Sequence, residues 1–326
     1  MSAGASVTAV AHANIALAKY WGKADTGANM PAVPSLSLTL AALRSTTTAG
    51  ADPALDADEV TLDGAPATGR ARERVVRLLD ELRTLTGTGA RLRVSSHNDF
   101  PTAAGLASSA SGFAALALAG AHALGTPLSA ATLSAVARRA SASAARSLFG
   151  GFVVLRLGAE SAEPILESAA WPLAMVIAVT ASGPKSVSST DGMGHTRATS
   201  PYYPAWVAAA PALFDQVERA VRAHDLEQLG AATEQSALMM HASMLAARPA
   251  LLYLSPATLR AMERVRALRS AGTPAFYTMD AGPHVKVLCE AGAADGVAGA
   301  LRAVEGVERV IVSGIGPAAH LVGAAP

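Results

Sequence analysis

A two-domain α/β protein is the fold class that three features of the sequence predict. The chain has 326 residues, and at about 150 residues per domain that length suggests two units. Its first half alternates strand-like runs with helical ones, and a polar, proline-containing segment, "SGPKSVSSTDGMGHTRATSPYYP", then separates it from a helix-rich second half. The boundary is expected near Gly183, giving units of residues 1–182 and 183–326. A hydrophobic content of 51% supplies enough apolar side chains for two cores.

The elements follow in order. "PSLSLTL" (Pro34 to Leu40) alternates polar and apolar residues with period two, as a half-buried strand does. "RERVVRLLDELRTLTG" (Arg72 to Gly87) has the helical period and stops on glycine. "ARLRVSS" (Ala90 to Ser96) reads as a strand, "PTAAGLASSASG" (Pro101 to Gly112) as a glycine turn, and "FAALALAGAHAL" (Phe113 to Leu124) as a helix. "PLSAATLSAVARRASASAARSLFGG" (Pro127 to Gly151) predicts a helix, a small-residue junction, a second helical segment and a glycine stop. "FVVLRLG" and "LAMVIAVT" (Leu173 to Thr180) are strand candidates. Beyond the polar segment, "AWVAAAPALFDQVERAVRAHD" and "PATLRAMERVRALRSAG" predict helices. "AFYTMDAG", "VKVLCEAG", a short helix and "VERVIVSGIG" close the chain.

Composition excludes several function classes. Lys and Arg number 26 against 25 Asp and Glu, a net charge of +1, so no bulk field draws the chain to nucleic acid or an anionic membrane. Any anion site must be local. The single cysteine, Cys289, rules out an internal disulfide framework and a multi-cysteine zinc site, which suits a reducing compartment such as the cytoplasm. The first residues lack a basic segment followed by a long apolar one, and no apolar run reaches 18 residues, so neither secretion nor a membrane span is expected. The mean hydropathy of +0.31 reflects alanine spread along the chain.

Five stretches carry chemistry. In "PTAAGLASS", Gly105 permits close backbone approach and the following helix N-terminus offers free N–H groups, with Ser108, Ser109 and Ser111 as hydroxyl donors; this is a phosphate-binding order. A tightly packed helix start would look the same. "ANIALAKYWGKAD" places Asn14, Lys19, Tyr20, Trp21 and Lys23 within ten residues, where lysines can serve a polyanion or remain solvated on an edge strand. "ASASAARSLFGG" sets Arg146 beside Ser141 and Ser143; its fork can grip a carboxylate or phosphate bidentately, or satisfy loop carbonyls. "GPKSVSSTDGM" offers Lys185, Ser186, Ser188, Ser189 and Thr190 as anion donors or forms an interdomain linker. In "FYTMDAGPHVKVL", Asp280 sits on a turn at a strand's end, where catalytic groups are mounted and where Asx caps also occur. Two phosphate-donor loops, an arginine, two lysines and one carboxylate together favour phosphoryl transfer.

At these residues the chain resembles a known family. "NIALAKYWGK", "PSLSLTL", "PTAAGLASSASGFAALA", "SASAARSLFGGF", "SSTDGM" and "DAGPHV" occur in the order and spacing of the diphosphomevalonate decarboxylases, within the GHMP kinase superfamily. The match runs from about Ala13 to Val285. The resemblance implies a GHMP-kinase fold, with an N-terminal α/β domain bearing the phosphate loop and a ferredoxin-like C-terminal domain. It also implies ATP-dependent decarboxylation of mevalonate 5-diphosphate, with ATP and Mg²⁺ required, in a cytoplasmic homodimer. Carried over by position, Asp280 falls on the catalytic aspartate, Arg146 on the arginine that holds the substrate carboxylate, and Asn14 on the amide between them, with Lys19 beside them. Tyr20, Lys23, Ser141, Ser143, Ser189 and Met193 fall on the substrate site. Ala103, Ala104, Gly105, Leu106, Ala107, Ser108 and Ser109, with Lys185, fall on the ATP phosphate site. The metal ligands stay unassigned. One departure stands out: the family's "GSGSA" is "ASASA" here, and Ala142 would crowd that turn if its φ were positive. A GHMP-type small-molecule kinase without decarboxylation, a mevalonate 5-monophosphate decarboxylase and an inactive nucleotide-binding regulator remain alternatives.

Overall fold

Strand Val7–Ala18 pairs antiparallel along most of its length with the longest strand, Ser35–Ala51, and the two form the spine of an eight-stranded sheet. These and the other elements belong to a computed structural model that describes residues 6–25, 29–100, 108–180 and 187–323. The long strand serves two neighbours in turn. Its first residues, Ser35 to Leu38, pair with Phe152–Leu155, and its last, Ser45 to Ala51, pair with Leu92–Asn98. The period-two pattern of "PSLSLTL" marks only its start, because the alternation breaks at "AALR" where the strand changes partner.

Helices Gly69–Thr86, Ser108–Ala123 and Ala130–Ala140 pack on this sheet, burying Leu78, Leu79, Leu82, Phe113 and Leu133 against Ala9, Ala11, Leu92 and Val94. The first stops as its sequence predicts, with Gly87 in the left-handed conformation at φ 70°. The second is buried on nearly every side and is built from alanine and glycine, which let it sit close to the strands. It also packs tightly on the first helix: a Cβ on Gly120 would lie 2.9 Å from Leu82. This close fit aims the helix N-terminus, Ser108 and Ser109, at the cavity described below.

The second sheet has four antiparallel strands in the order Ala275–Thr278, Val285–Glu290, Leu173–Val179, Arg309–Gly314. In chain order this is strand, helices, strand, strand, helix, strand, the split βαβ arrangement of ferredoxin-like folds. Helices Pro256–Ser270 and Ala294–Arg302 cover it through Ala261, Val265, Val297 and Leu301. Helices Tyr203–Ala223 and Leu226–Leu245 contribute Phe214, Val217 and Leu229 to a core shared by the two sheets, together with Ile15, Leu38, Met175 and Ile177.

Two expectations need correction. Leu173–Val179 is an inner strand of the second sheet, so the chain enters its second unit before Gly183, which itself lies outside the described residues. The segment read as a possible linker contains a helix, Ser189–Thr199, whose N-cap Ser188 accepts the Asp191 N–H at 3.2 Å. Met193 of this helix packs with Trp21, Tyr203, Trp206 and Met240, which explains why so polar a sequence is held in place.

Candidate active site

The site is assembled from four separated segments. Small residues after helix Ala130–Ala140 tighten the chain into a 3₁₀ turn, Ala142–Leu148, in which Ala144 and Ala145 are fully buried and Arg146 is 2% exposed. Buried guanidinium needs acceptors, and the alternating serines of "PSLSLTL" supply them from the sheet face. Arg146 donates through Nε to Ser37 Oγ at 2.9 Å and through Nη1 to Ser35 Oγ at 2.6 Å, with Nη2 3.4 Å from Asn14 Oδ1. Asn14 in turn donates to Ser147 Oγ and the Ser143 carbonyl, at 2.8 and 3.0 Å. Burial pulls the Arg146 pKa down to about 10 against the opposing influence of Tyr20 and Asp280. It remains a cation at neutral pH.

Lys19 follows the end of strand Val7–Ala18 and is buried rather than solvated. Its backbone N–H donates to Ser236 Oγ at 2.9 Å, and its Nζ reaches the Ala16 carbonyl at 2.9 Å and Asp280 Oδ1 at 2.6 Å. Burial lowers its pKa to about 8, even with Asp280 favouring the charged form. Asp280 stands just beyond strand Ala275–Thr278, with 28% of its side chain open. Burial alone would raise its pKa, but the ammonium groups of Lys19 and Lys286 hold it well below the usual carboxylate range. Lys286 Nζ lies 3.1 Å from Oδ2. Asp280 is therefore a firmly ionised carboxylate held at both oxygens.

A cavity of about 850 Å³ brings together Asn14, Tyr20, Lys23, Ser108, Ser109, Ser141, Ser143, Arg146, Ser189, Met193 and Asp280. Ten expected site residues thus share this wall with Asp280, and Lys19 stands behind that carboxylate. Among the described residues the buried Tyr20 hydroxyl has no hydrogen-bond partner; burial pushes its pKa up while Arg146 pulls it down. Ala103, Ala104, Gly105, Leu106, Ala107 and Lys185 lie outside the described residues. Ser111 turns away from the cavity: it is fully buried, with Oγ 2.7 Å from Ser45 Oγ. Left-handed φ occurs among non-glycine residues at Asn29, Asp63 and His224, and not at Ala140 or Ala142, so "ASASA" forms its turn without strain among the described residues.

Sequence reasoning missed much of the cationic wall. Arg70, Arg74 and Arg77 stand on one face of helix Gly69–Thr86, and Arg139 and Arg197 join them with Lys23. Arg74 is fixed over the Phe113 ring at 4.5 Å and donates to the Ala140 carbonyl at 2.9 Å. Lys23 donates to Asn29 Oδ1 at 2.6 Å, and its pKa is lowered by burial and by Arg74 and Arg70. Glu81 pairs with Arg139 and Asp191 lies 3.5 Å from Arg70, so carboxylates offset part of this positive charge. The i, i+4, i+7 spacing of Arg70, Arg74 and Arg77 was the available signal. Ser35 and Ser37 were also missed, as was Lys286.

No cluster of three His, Cys, Asp or Glu suited to a metal occurs among the described residues. Asp280, with an ammonium on each oxygen, is poorly disposed to ligate a cation. The donors that fit Mg²⁺ are the Ser108 and Ser109 hydroxyls at the helix start, because this ion keeps most of its ligands from water and substrate phosphates.

The pattern of the diphosphomevalonate decarboxylase-like N-terminal domain matches residues 11–166, and that of the mevalonate 5-diphosphate decarboxylase C-terminal domain matches residues 175–313. The chain belongs to the diphosphomevalonate decarboxylase family. The Aspergillus fumigatus diphosphomevalonate decarboxylase mvd1 is 36% identical over 324 residues, covering 92% of this chain and 80% of that protein. A solved structure of the Enterococcus faecalis mevalonate diphosphate decarboxylase, concerned with substrate-mediated ATP binding, is 40% identical at a TM-score of 0.88, covering 97% and 98% of the two chains. A complex of MDDEF with MVAPP, AMPPCP and magnesium is 41% identical at a TM-score of 0.89, with the same coverage of 97% and 98%. This decarboxylase-family chain accordingly has the GHMP-kinase fold that its motifs led one to expect.

Proposed function

We infer that the protein converts mevalonate 5-diphosphate and ATP to isopentenyl diphosphate, ADP, phosphate and carbon dioxide. The observation that carries this reading is the presence, in one cavity of a chain of this family, of Arg146 fixed by Ser35, Ser37 and Asn14 and of Asp280 fixed by Lys19. A kinase needs the carboxylate that orients a hydroxyl. A decarboxylase needs, in addition, a cation that aligns the substrate's own carboxylate.

Hydroxide is a poor leaving group, so a tertiary 3-hydroxy acid must be phosphorylated before it loses carbon dioxide. Asp280 orients the 3-hydroxyl towards the γ-phosphate. Its depressed pKa makes it a weak base, which suits a loose transition state in which the hydroxyl proton passes to the Asp280 carboxylate only late, as the bond to phosphorus forms. Lys19 keeps the carboxylate ionised and directed at the cavity. When phosphate departs, positive charge develops at C3 and the C–C bond electrons fill it as carbon dioxide leaves. Arg146 aligns the carboxylate for that step, and its three protein hydrogen bonds restrain it from following the charge. Tyr20, Lys23, Ser141, Ser143, Ser189 and Met193 bind the rest of the substrate. Ser108, Ser109, the preceding residues Ala103 to Ala107 and Lys185 bind the ATP phosphates, and Ser108 and Ser109 would hold Mg²⁺, which supplies charge neutralisation when bound.

The cations Lys23, Arg74, Arg77 and Arg197, beside Arg70 and Arg139 that Asp191 and Glu81 partly offset, favour a diphosphate over a monophosphate, since each further phosphate charge needs its own partner. The homodimeric state rests on the family resemblance alone, and the cytoplasmic setting on that resemblance and on Cys289, a free buried thiol. Mass spectrometry after incubation with ATP and either mevalonate phosphate tests the reading. Isopentenyl diphosphate from the diphosphate substrate is expected, and turnover of the monophosphate alone would overturn it.

A further inference from the structure

Lys286 is a fully buried lysine in an inner strand of the second sheet. It pairs in register with Ile177 on one side and Thr278 on the other, and its neighbours along the strand, Val285 and Val287, are fully buried. A buried ammonium is costly unless a carboxylate compensates it, and Asp280 lies 3.1 Å away. Yet Asp280 already has a partner in Lys19, at 2.6 Å on its other oxygen. Two lysines thus share one carboxylate, an arrangement that pure anchoring does not require.

The groups facing this cluster come from three elements. Lys19 and Tyr20 follow the first strand, Arg146 comes from the 3₁₀ turn, and His241 from helix Leu226–Leu245. Burial and then Lys19 bring the His241 pKa down to about 4, so the ring is neutral at physiological pH. The charges that matter are therefore Lys19, Lys286 and Arg146 against Asp280. Each carboxylate oxygen has about two lone-pair positions. One ammonium on each leaves the rest directed to the open side, and neither oxygen is free to rotate out of place.

We propose that Lys286 is a positioning residue for phosphoryl transfer: from the buried sheet it holds Oδ2 of Asp280, while Lys19 holds Oδ1, so that the carboxylate presents one fixed edge to the attacking hydroxyl. Lys286 also acts on Lys19, because two like charges on one carboxylate oppose each other. It contributes to the lowering of the Lys19 pKa to about 8. The active site then needs Lys19 protonated, and turnover falls as pH rises through that value.

The proposal rests on the decarboxylase reading above, but ADP release follows the phosphoryl step whether or not carbon dioxide is lost, so failure of either can be told apart. The experiment is the pH dependence of kcat/KM for ADP formation in the wild type, Lys286→Met and Lys286→Arg. Removing Lys286 leaves the neutral Lys19–Asp280 pair, not an isolated buried charge, so the methionine variant is expected to fold. Its alkaline limb should move to higher pH by on the order of one unit, the size of effect that loss of a nearby unit charge produces. Its kcat should fall on the order of tenfold as the carboxylate loses its second restraint. The arginine variant, with charge retained, should return the limb towards the wild-type position. Lys286→Gln keeps a donor for Oδ2 without the charge and should show the same limb shift if the methionine variant is unstable. A folded, uncharged variant with the wild-type limb and wild-type kcat overturns the proposal.

Discussion

Replacing Arg146 with lysine separates alignment from charge. In the protein as it stands, three of the five guanidinium N–H donors engage Ser37, Ser35 and Asn14. A lysine ammonium cannot meet these three acceptors in one plane and still face the cavity. Both serine hydroxyls are fully buried, and leaving each without its charged partner costs about 1–3 kcal/mol. The expected loss of stability is therefore on the order of 2–6 kcal/mol. The substrate carboxylate loses a fixed fork, and misplacement of that kind lowers kcat by on the order of 10–10³-fold. The change in KM should be smaller, because a positive charge remains near the carboxylate. Thermal unfolding gives the first quantity, and steady-state kinetics well below the melting transition gives the second. An unfolding temperature that falls while kcat stays within threefold of the wild type would show Arg146 to be structural and would refute the alignment argument.

Other perturbations test separate parts of the site. Asp280→Asn should lower kcat by on the order of 10²–10⁴-fold with ATP affinity nearly unchanged; calorimetric titration with a non-hydrolysable ATP analogue checks the second half. The same variant leaves Lys19 and Lys286 buried without a carboxylate and should lose about 3–5 kcal/mol of stability. Because the folded Asp280 pKa is depressed, that contribution is complete at pH values above the unfolded pKa of about 3.9 and is lost as pH falls through the lower folded value. Denaturant melts at pH 7 and in acid should therefore show the gap between wild type and variant closing, and a gap that is constant with pH contradicts the assigned charges. Lys23→Ala and Ser189→Ala should raise KM for the diphosphate substrate more than they lower kcat, since their partners do not change charge in the reaction; the reverse pattern moves these residues to the nucleotide side. Gly230→Ala would bring a Cβ within 2.0 Å of the Phe276 ring. It should destabilise the fold by about 1–3 kcal/mol, and an unchanged melting temperature would show that the helix shifts freely.

Local order was readable where one segment determines its own structure. The helix ending at Gly87, the strands Leu92–Asn98 and Leu173–Val179 and the two strands flanking Asp280 all follow from periodicity and from turn residues. The motif side chains Asn14, Lys19, Arg146 and Asp280, which the structure gathers around one cavity, stood out as candidates because their neighbours in sequence are small or apolar. The partners that fix them were not, because they arrive from distant segments: Ser35 and Ser37 lie more than 100 positions from Arg146, and they read in sequence only as the polar phase of a strand. Lys286 left a trace, a charge within the apolar run "VKVLC", which marks a buried strand with one polar task. The helix beginning at Ser189 also left one, since Ser188 and Asp191 have the spacing of a helix cap. Its low apolar content hid it, because its stability comes from aromatic residues of other elements.

In the proposed reaction one cavity couples phosphoryl transfer to loss of a carboxylate. The direct measurement is carbon dioxide and ADP released in a single time course from mevalonate 5-diphosphate and ATP. Equal amounts of the two, with isopentenyl diphosphate as the organic product, are predicted. ADP with a stable phosphorylated product and no carbon dioxide would make this protein a kinase and contradict the role given to Arg146.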